Sequence, residues 1–172
     1  MKIAIDLDET LINNGNFYSP PGFWKLKRSA RKYLRKVYEN GHEFHLITCR
    51  SPEAINIVAD IIGRIELKTR VRFASIQCIG AQSKVPFAIS MNCNILIDDD
   101  IGQMRFCADA GPDICGIHIG HKRNRIPGTV ACESWREVYR LLVTSLGAGA
   151  NEVFLNSQEQ LSPDARRDAH KI

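Results

Sequence analysis

Five short apolar runs, each followed by a polar loop and a helical pattern, constrain this chain more than any other feature. They are "KIAIDL", "EFHLIT", "VRFASIQCI", "NILIDD" and "ICGIHI". A strand with one wet face alternates apolar and polar residues, whereas runs that stay aliphatic or β-branched are expected where both faces are covered. Helical patterns separate them, at residues 23–39, 52–63, 84–91, 101–110 and 134–146. Gly41 in "NGHE" supplies a helix stop. Ser51 and Pro52 in "SPEA" supply a cap and a first helical position, and Ser134 a cap for the last helix. Strand and helix taking turns imply parallel strands joined by right-handed crossovers. The expected fold is therefore α/β, a doubly wound parallel sheet of about five strands, and 172 residues are enough for one such domain.

In sheets of this kind the ligand crevice lies beyond the carboxyl ends of the strands. The polar residues of this chain gather there. Asp6 and Asp8 close the first run, Thr48 the second, and Asp98, Asp99 and Asp100 the fourth. Two carboxylates about 4 Å apart repel by about 4 kcal/mol at an effective dielectric near 20. Several in one crevice call for a cation, and oxygen-only ligation suits Mg²⁺. Caps facing water are the plainer reading of any single aspartate, but two clusters at two strand ends argue for a site.

Composition narrows the class. With 44% hydrophobic and 24% charged residues the chain reads as an ordinary globular protein. No apolar run is long enough to span a membrane, and "MKIAIDLDET" turns acidic too soon for a secretory signal. Six scattered cysteines without a CxxC pair fit free thiols in a reducing compartment, so a cytoplasmic location is expected. The net charge of +4 is concentrated in "WKLKRSARKYLRK", residues 24–36. Ala30, Leu34, Val37 and Tyr38 make the apolar stripe of that helix; the basic residues around it form either a solvated face or a polyanion surface. Residues 147–172 lose periodicity and turn polar, which leaves residues 1–146 as the domain and a loosely held tail.

The motifs taken together resemble the haloacid dehalogenase (HAD) superfamily. "IAIDLDETL" resembles its first motif, a hydrophobic strand followed by DxDxT, and "FHLITCR" its second, a strand ending in Thr48. "QSKVPF" offers Lys84 for the third, and "NILIDDD" the acidic pair of the fourth. The resemblance implies a phosphatase in which Asp6 is the nucleophile, forming an aspartyl-phosphate, and Asp8 the general acid–base. It implies phosphate contacts from Thr48 and Lys84, with Arg50 as a further candidate. Mg²⁺ would be held by Asp6, the backbone carbonyl of Asp8, and Asp99 with Asp98, Asp99 being favoured as the direct ligand. Thr10 is read as tying down the loop rather than touching substrate.

Superfamily members often enclose small substrates under a cap domain. Here the gap after the first motif is the short "LINNGNFYSPPG", and residues 50–84 are used by one helix and one strand. No separate cap domain is expected, and the crevice should be open. The narrower resemblance is to small 5′-nucleotidases and polynucleotide 3′-phosphatases, which implies a nucleotide or nucleic-acid terminus as substrate. Phe17, Tyr18 and Trp24 are candidates for stacking a base, and His121, Lys122, Arg123 and Arg125 for meeting phosphates. Each also has a plain structural reading, Trp24 as a packed residue and the loop as solvated. His42, His45 and His118 show no metal-ligand spacing and read as core or surface residues. Two alternatives stand beside this reading. One is hydrolysis of a small sugar or metabolite phosphate under a lid lent by a homo-oligomer partner; the other is a receiver-like module that is phosphorylated without turnover. No membrane partner is expected.

Overall fold

A computed structural model describes residues 1–13, 24–120 and 126–144. Phe17, Tyr18, His121, Lys122, Arg123, Arg125 and the expected tail at 147–172 lie outside the described residues. The runs read as strands appear as β1 (Lys2–Ile5), β4 (Glu43–Thr48), β5 (Phe73–Cys78), β6 (Ile95–Asp98) and β7 (Cys115–Ile119). A sixth strand, β8 (Thr129–Cys132), joins them, all parallel, in the order β5-β4-β1-β6-β7-β8. The chain winds outward from β1 through β4 to β5, then returns to the other side of β1 for β6, β7 and β8. The direction of winding thus reverses between β1 and β6, where such a sheet opens its ligand crevice.

Helices cover both faces, which explains why the runs of the inner strands are apolar; the edge strand β5 has no fully buried residue. Strand residues alternate between the two layers. Ile3 and Ile5, Phe44 and Leu46, and Ile95 and Ile97 share one core with the buried stripes of α1 (Arg28–Glu39), α2 (Ile55–Thr69) and α5 (Trp135–Thr144). Ala4, Ile47 and Leu96 point the other way, into a second core with α3 (Val85–Ser90) and α4 (Ile101–Ala110). No helix among the described residues is long and apolar enough to cross a membrane. All six cysteines are free thiols, four of them buried.

Four sequence expectations are corrected. The first helix starts at Arg28 rather than residue 23. Lys25–Leu26 (β3) pairs instead with Ile12–Asn13 (β2) in a small antiparallel ribbon. The second helix does not stop at Gly63 but runs to Thr69, because the stripe Val58, Ile61, Ile62, Ile65 and Thr69 stays buried. That burial outweighs the roughly 1 kcal/mol cost of a glycine inside a helix. The turn ends at Arg70 in a left-handed conformation, φ 57°. Ser51 makes no capping bond; a single 3₁₀ turn, Pro52–Ala54, intervenes before α2. Finally, β8 was not expected, because "TVAC" alternates half-buried and buried residues instead of forming a continuous apolar run.

Candidate active site

The register of the sheet brings the acidic residues together. Ala4 lies beside Leu96 and Ile5 beside Ile97, and the Asp6 N–H donates to the Ile97 carbonyl at 3.0 Å. Asp6, one step beyond β1, and Asp98, the last residue of β6, emerge on the same side, toward α3. Lys84, immediately before α3, sits between them. Its ammonium donates to Asp6 Oδ1 and to Asp98 Oδ2, both at 2.6 Å. Lys84 is held there by its own backbone N–H, which donates to Gln103 Oε1 at 2.8 Å. All three charged groups are buried, Lys84 at 2% exposure and Asp98 at 0%. A lysine can be this deep only because two carboxylates face it.

Asp99 completes the cluster. Carboxylate oxygens of Asp6, Asp98 and Asp99 lie within 4.8 Å of one another. Asp99 Oδ1 accepts from the Thr10 hydroxyl at 2.9 Å, so Thr10 ties the loop after β1 to the end of β6. Thr10 is itself anchored by its carbonyl, which accepts from the buried indole N–H of Trp135 at 3.0 Å.

Electrostatics show a cluster short of positive charge. Burial, then the neighbouring Asp98, push the Asp6 carboxyl well above the usual carboxylate range, and Lys84 only partly opposes this. Burial likewise raises Asp98 and Asp99. Lys84 feels burial in the opposite sense, but the two carboxylates more than offset it and hold its ammonium charged far above neutral pH. Three converging carboxylates against one ammonium are a donor set for a hard divalent cation.

Asp8 points elsewhere. Its carboxylate accepts a fork from Arg50, with Nε to Oδ2 at 2.9 Å and Nη2 to Oδ1 at 2.7 Å. The Thr48 hydroxyl lies 3.5 Å from Oδ2 and also accepts from the Arg50 backbone N–H at 3.3 Å. The end of β4 therefore holds one aspartate of the first motif, and the ends of β6 and α3 hold the other. Glu9, which follows Asp8, adopts a left-handed conformation at φ 54°, so the chain turns sharply just beyond the pair.

Asp6, Asp8, Thr48, Arg50, Lys84, Asp98 and Asp99 thus converge at the carboxyl ends of β1, β4 and β6. Trp24 does not join them. Its ring packs on the core with the Lys68 ammonium 5.2 Å from its centroid, and its indole N–H is buried. His45 is structural, bonded to Ser75 and Glu43. His118, read from sequence as core or surface, is a buried residue of β7. It pairs with Asp98 across β6 and β7, and its Nε2–H donates to the Asp99 carbonyl at 3.0 Å. Its place at the end of an apolar run, level with Asp98, was the available signal. Gln103 was missed as well, since nothing in its spacing tells that its side chain folds back onto Lys84.

No protein-family model and no curated protein matches this sequence. Solved structures do match. A D,D-heptose 1,7-bisphosphate phosphatase from B. bronchiseptica, complexed with magnesium and phosphate, has a TM-score of 0.68. It is 15% identical, over 84% of this chain and 98% of that one. A 3-deoxy-D-manno-octulosonate 8-phosphate phosphatase from Moraxella catarrhalis gives 0.52 at 17% identity, over 84% and 86%. A HAD-superfamily hydrolase from Ehrlichia chaffeensis gives 0.55 at 13% identity, over 83% and 95%. At such identities the likeness is one of architecture: the chain has the doubly wound α/β fold found in HAD-superfamily phosphatases.

Proposed function

We propose that this protein is a Mg²⁺-dependent phosphatase that cleaves a phosphate monoester through an aspartyl-phosphate on Asp6. One observation carries the proposal: Asp6, Asp98 and Asp99 converge on a point that Lys84 alone does not neutralise. Asp6 and Asp99 would hold Mg²⁺ with the Asp8 carbonyl. Asp98 already accepts from Lys84 with Oδ2 and from the Asp100 N–H with Oδ1, so it supports the site and leaves Asp99 as the direct ligand. Bound there, the ion supplies charge neutralisation to the phosphoryl oxygens.

The remaining steps belong to side chains. An Asp6 oxygen attacks phosphorus as the bond to the leaving alcohol breaks, and Asp8 gives that alcohol its proton. Water then attacks the phosphoryl group, Asp8 takes its proton, and the Asp6–phosphorus linkage breaks to release phosphate. Thr48 and Lys84 hold phosphoryl oxygens, which for this reaction is largely positioning and charge. Arg50 was expected to meet the phosphate directly. With Nε and Nη2 on Asp8, it orients the acid–base in this arrangement, and an incoming phosphate would share the guanidinium.

The same reading places the catalytic unit in residues 1–146, in a reducing cytoplasmic setting. A nucleotide or nucleic-acid terminus as substrate is supported by the exposed basic face of α1, where Arg28, Arg31, Lys32 and Lys36 line one side. Assaying aryl phosphate, nucleotides, 3′- and 5′-phosphorylated oligonucleotides and sugar phosphates, with and without Mg²⁺, tests the reading. Multiple turnovers of at least one ester, lost on chelation, are expected. A single slow dephosphorylation without turnover would instead point to a receiver-like module.

A further inference from the structure

Asp99 is fixed through its backbone as well as its side chain. Its carboxylate accepts from Thr10. The peptide unit that follows it is held at both ends: the Asp100 N–H donates to Asp98 Oδ1 at 2.9 Å, and the Asp99 carbonyl accepts from His118 Nε2 at 3.0 Å. A carbonyl only accepts, so in the neutral ring Nε2 carries the hydrogen and Nδ1 is left as an acceptor. His118 is 2% exposed, and its Nδ1 has no hydrogen-bond partner among the described residues. A buried polar atom without a partner is costly. The fold accepts that cost for a ring whose side-chain bond goes to the backbone of Asp99.

Gly120, two residues on, keeps room for that ring. Its backbone is not left-handed, so conformation alone would permit an alanine. A Cβ there would lie 2.9 Å from His118 Cε1 and 3.1 Å from Nε2, well inside the roughly 3.5–4.0 Å at which such atoms pack best. The Gly120 N–H donates to the Cys132 carbonyl at 2.9 Å, which ties its backbone to β8. The ring would therefore have to give way, and Nε2 would move with it.

We propose that His118 is a positioning residue for the metal: by fixing the Asp99 carbonyl it aims the Asp99 carboxylate at the point where Asp6 also converges, and Gly120 is the space reserved for its ring. The inference rests on the phosphatase reading in taking Asp99 as a Mg²⁺ ligand. Without His118 the Asp99–Asp100 peptide keeps only its bond to Asp98, and the ion meets a ligand that must first be ordered. Loss of a partner that orients a ligand typically lowers metal affinity by about 10–100-fold.

Calorimetric titration with Mg²⁺ tests this on the natural protein, His118→Ala, His118→Gln, Gly120→Ala and the double variant His118→Ala/Gly120→Ala, with folding checked by melting temperature. His118→Ala is expected to raise the Mg²⁺ dissociation constant by about tenfold or more. His118→Gln, whose amide Nε2 donates at the same reach, should recover most of that loss, which a merely space-filling role would not predict. Gly120→Ala should weaken binding in the natural background and add nothing once the ring is gone. His45→Ala, which removes another buried histidine, should leave the constant unchanged. An unchanged constant in His118→Ala, no recovery in His118→Gln, or an equal effect of Gly120→Ala in both backgrounds would overturn the proposal. Should His118→Ala not fold, His118→Gln against Gly120→Ala still decides it: the first should bind Mg²⁺ more tightly than the second. If the natural protein binds Mg²⁺ but turns over no ester, the phosphatase reading fails while the titrations still decide His118; if it binds no Mg²⁺, both fall.

Discussion

At the scale of single residues, Lys84 is the group on which the buried charges depend. Replacing it by methionine keeps most of the side-chain volume but leaves Asp6 and Asp98 facing each other without a counter-charge. Breaking a buried ion pair by removing one partner costs about 3–5 kcal/mol, so Lys84→Met should melt far below the natural protein, with Mg²⁺ restoring part of the loss. Thermal unfolding with and without the ion measures both, and an unchanged melting temperature would refute the role given to Lys84. The two aspartates of the first motif should separate by chemistry. Asp6→Asn is expected to remove turnover, by about 10³-fold or more, while Mg²⁺-dependent phosphate binding survives in part. Asp8→Asn should slow formation and breakdown of the phosphoenzyme alike, each by about 10²–10⁴-fold. Single-turnover kinetics resolve the two steps, and natural activity in Asp6→Asn would exclude the covalent route.

At the scale of elements, the junction of β6 and α4 divides labour among three consecutive aspartates. Asp98 closes the strand and faces Lys84, and Asp99 faces Thr10. Asp100 caps α4, its carboxylate accepting from the backbone N–H groups of Gly102 and Gln103. Asp100→Ala should therefore cost about 1 kcal/mol, or about 2–4 °C in melting temperature for a chain of this size. Because Gln103 sits in the first turn of α4 and holds the Lys84 backbone, fraying there should also raise the Mg²⁺ concentration needed for half-maximal activity. Unaltered metal dependence beside a lowered melting temperature would confine Asp100 to the helix. Acidic residues at a helix start also suit the partial positive charge of its free N–H groups.

At the scale of the whole molecule, the site exists only where the winding of the sheet reverses, so metal binding and folding should be coupled. A ligand bound only by the folded state adds about 2.7 kcal/mol at one hundred times its dissociation constant, equivalent to about 5–11 °C here. Mg²⁺ is expected to raise the melting temperature in this range, chelation to reverse it, and Asp98→Asn to diminish it. Absence of any shift at millimolar Mg²⁺ would remove the ion from the site.

Much of this was legible in the linear chain. Continuous apolar runs identified five of the six strands, because burial on both faces writes itself directly into composition. Asp6, Asp8, Thr48 and Asp98 stood out because strand ends are local features. Thr10 as a loop tie was legible for the same reason. The start of α1 was not, since the pairing of Leu26 with Ile12 spans fourteen positions and competes with a local helical pattern. Nor was Arg50 on Asp8, His118 on Asp99 or Gln103 behind Lys84. Such contacts join residues 19 to 42 positions apart through side-chain directions that only the packed sheet sets. Sequence alone determined which segments are buried and where acidic groups end them. Tertiary structure decided which charges meet, because meeting depends on strand order and register, and those are settled by how two layers of helices cover one sheet.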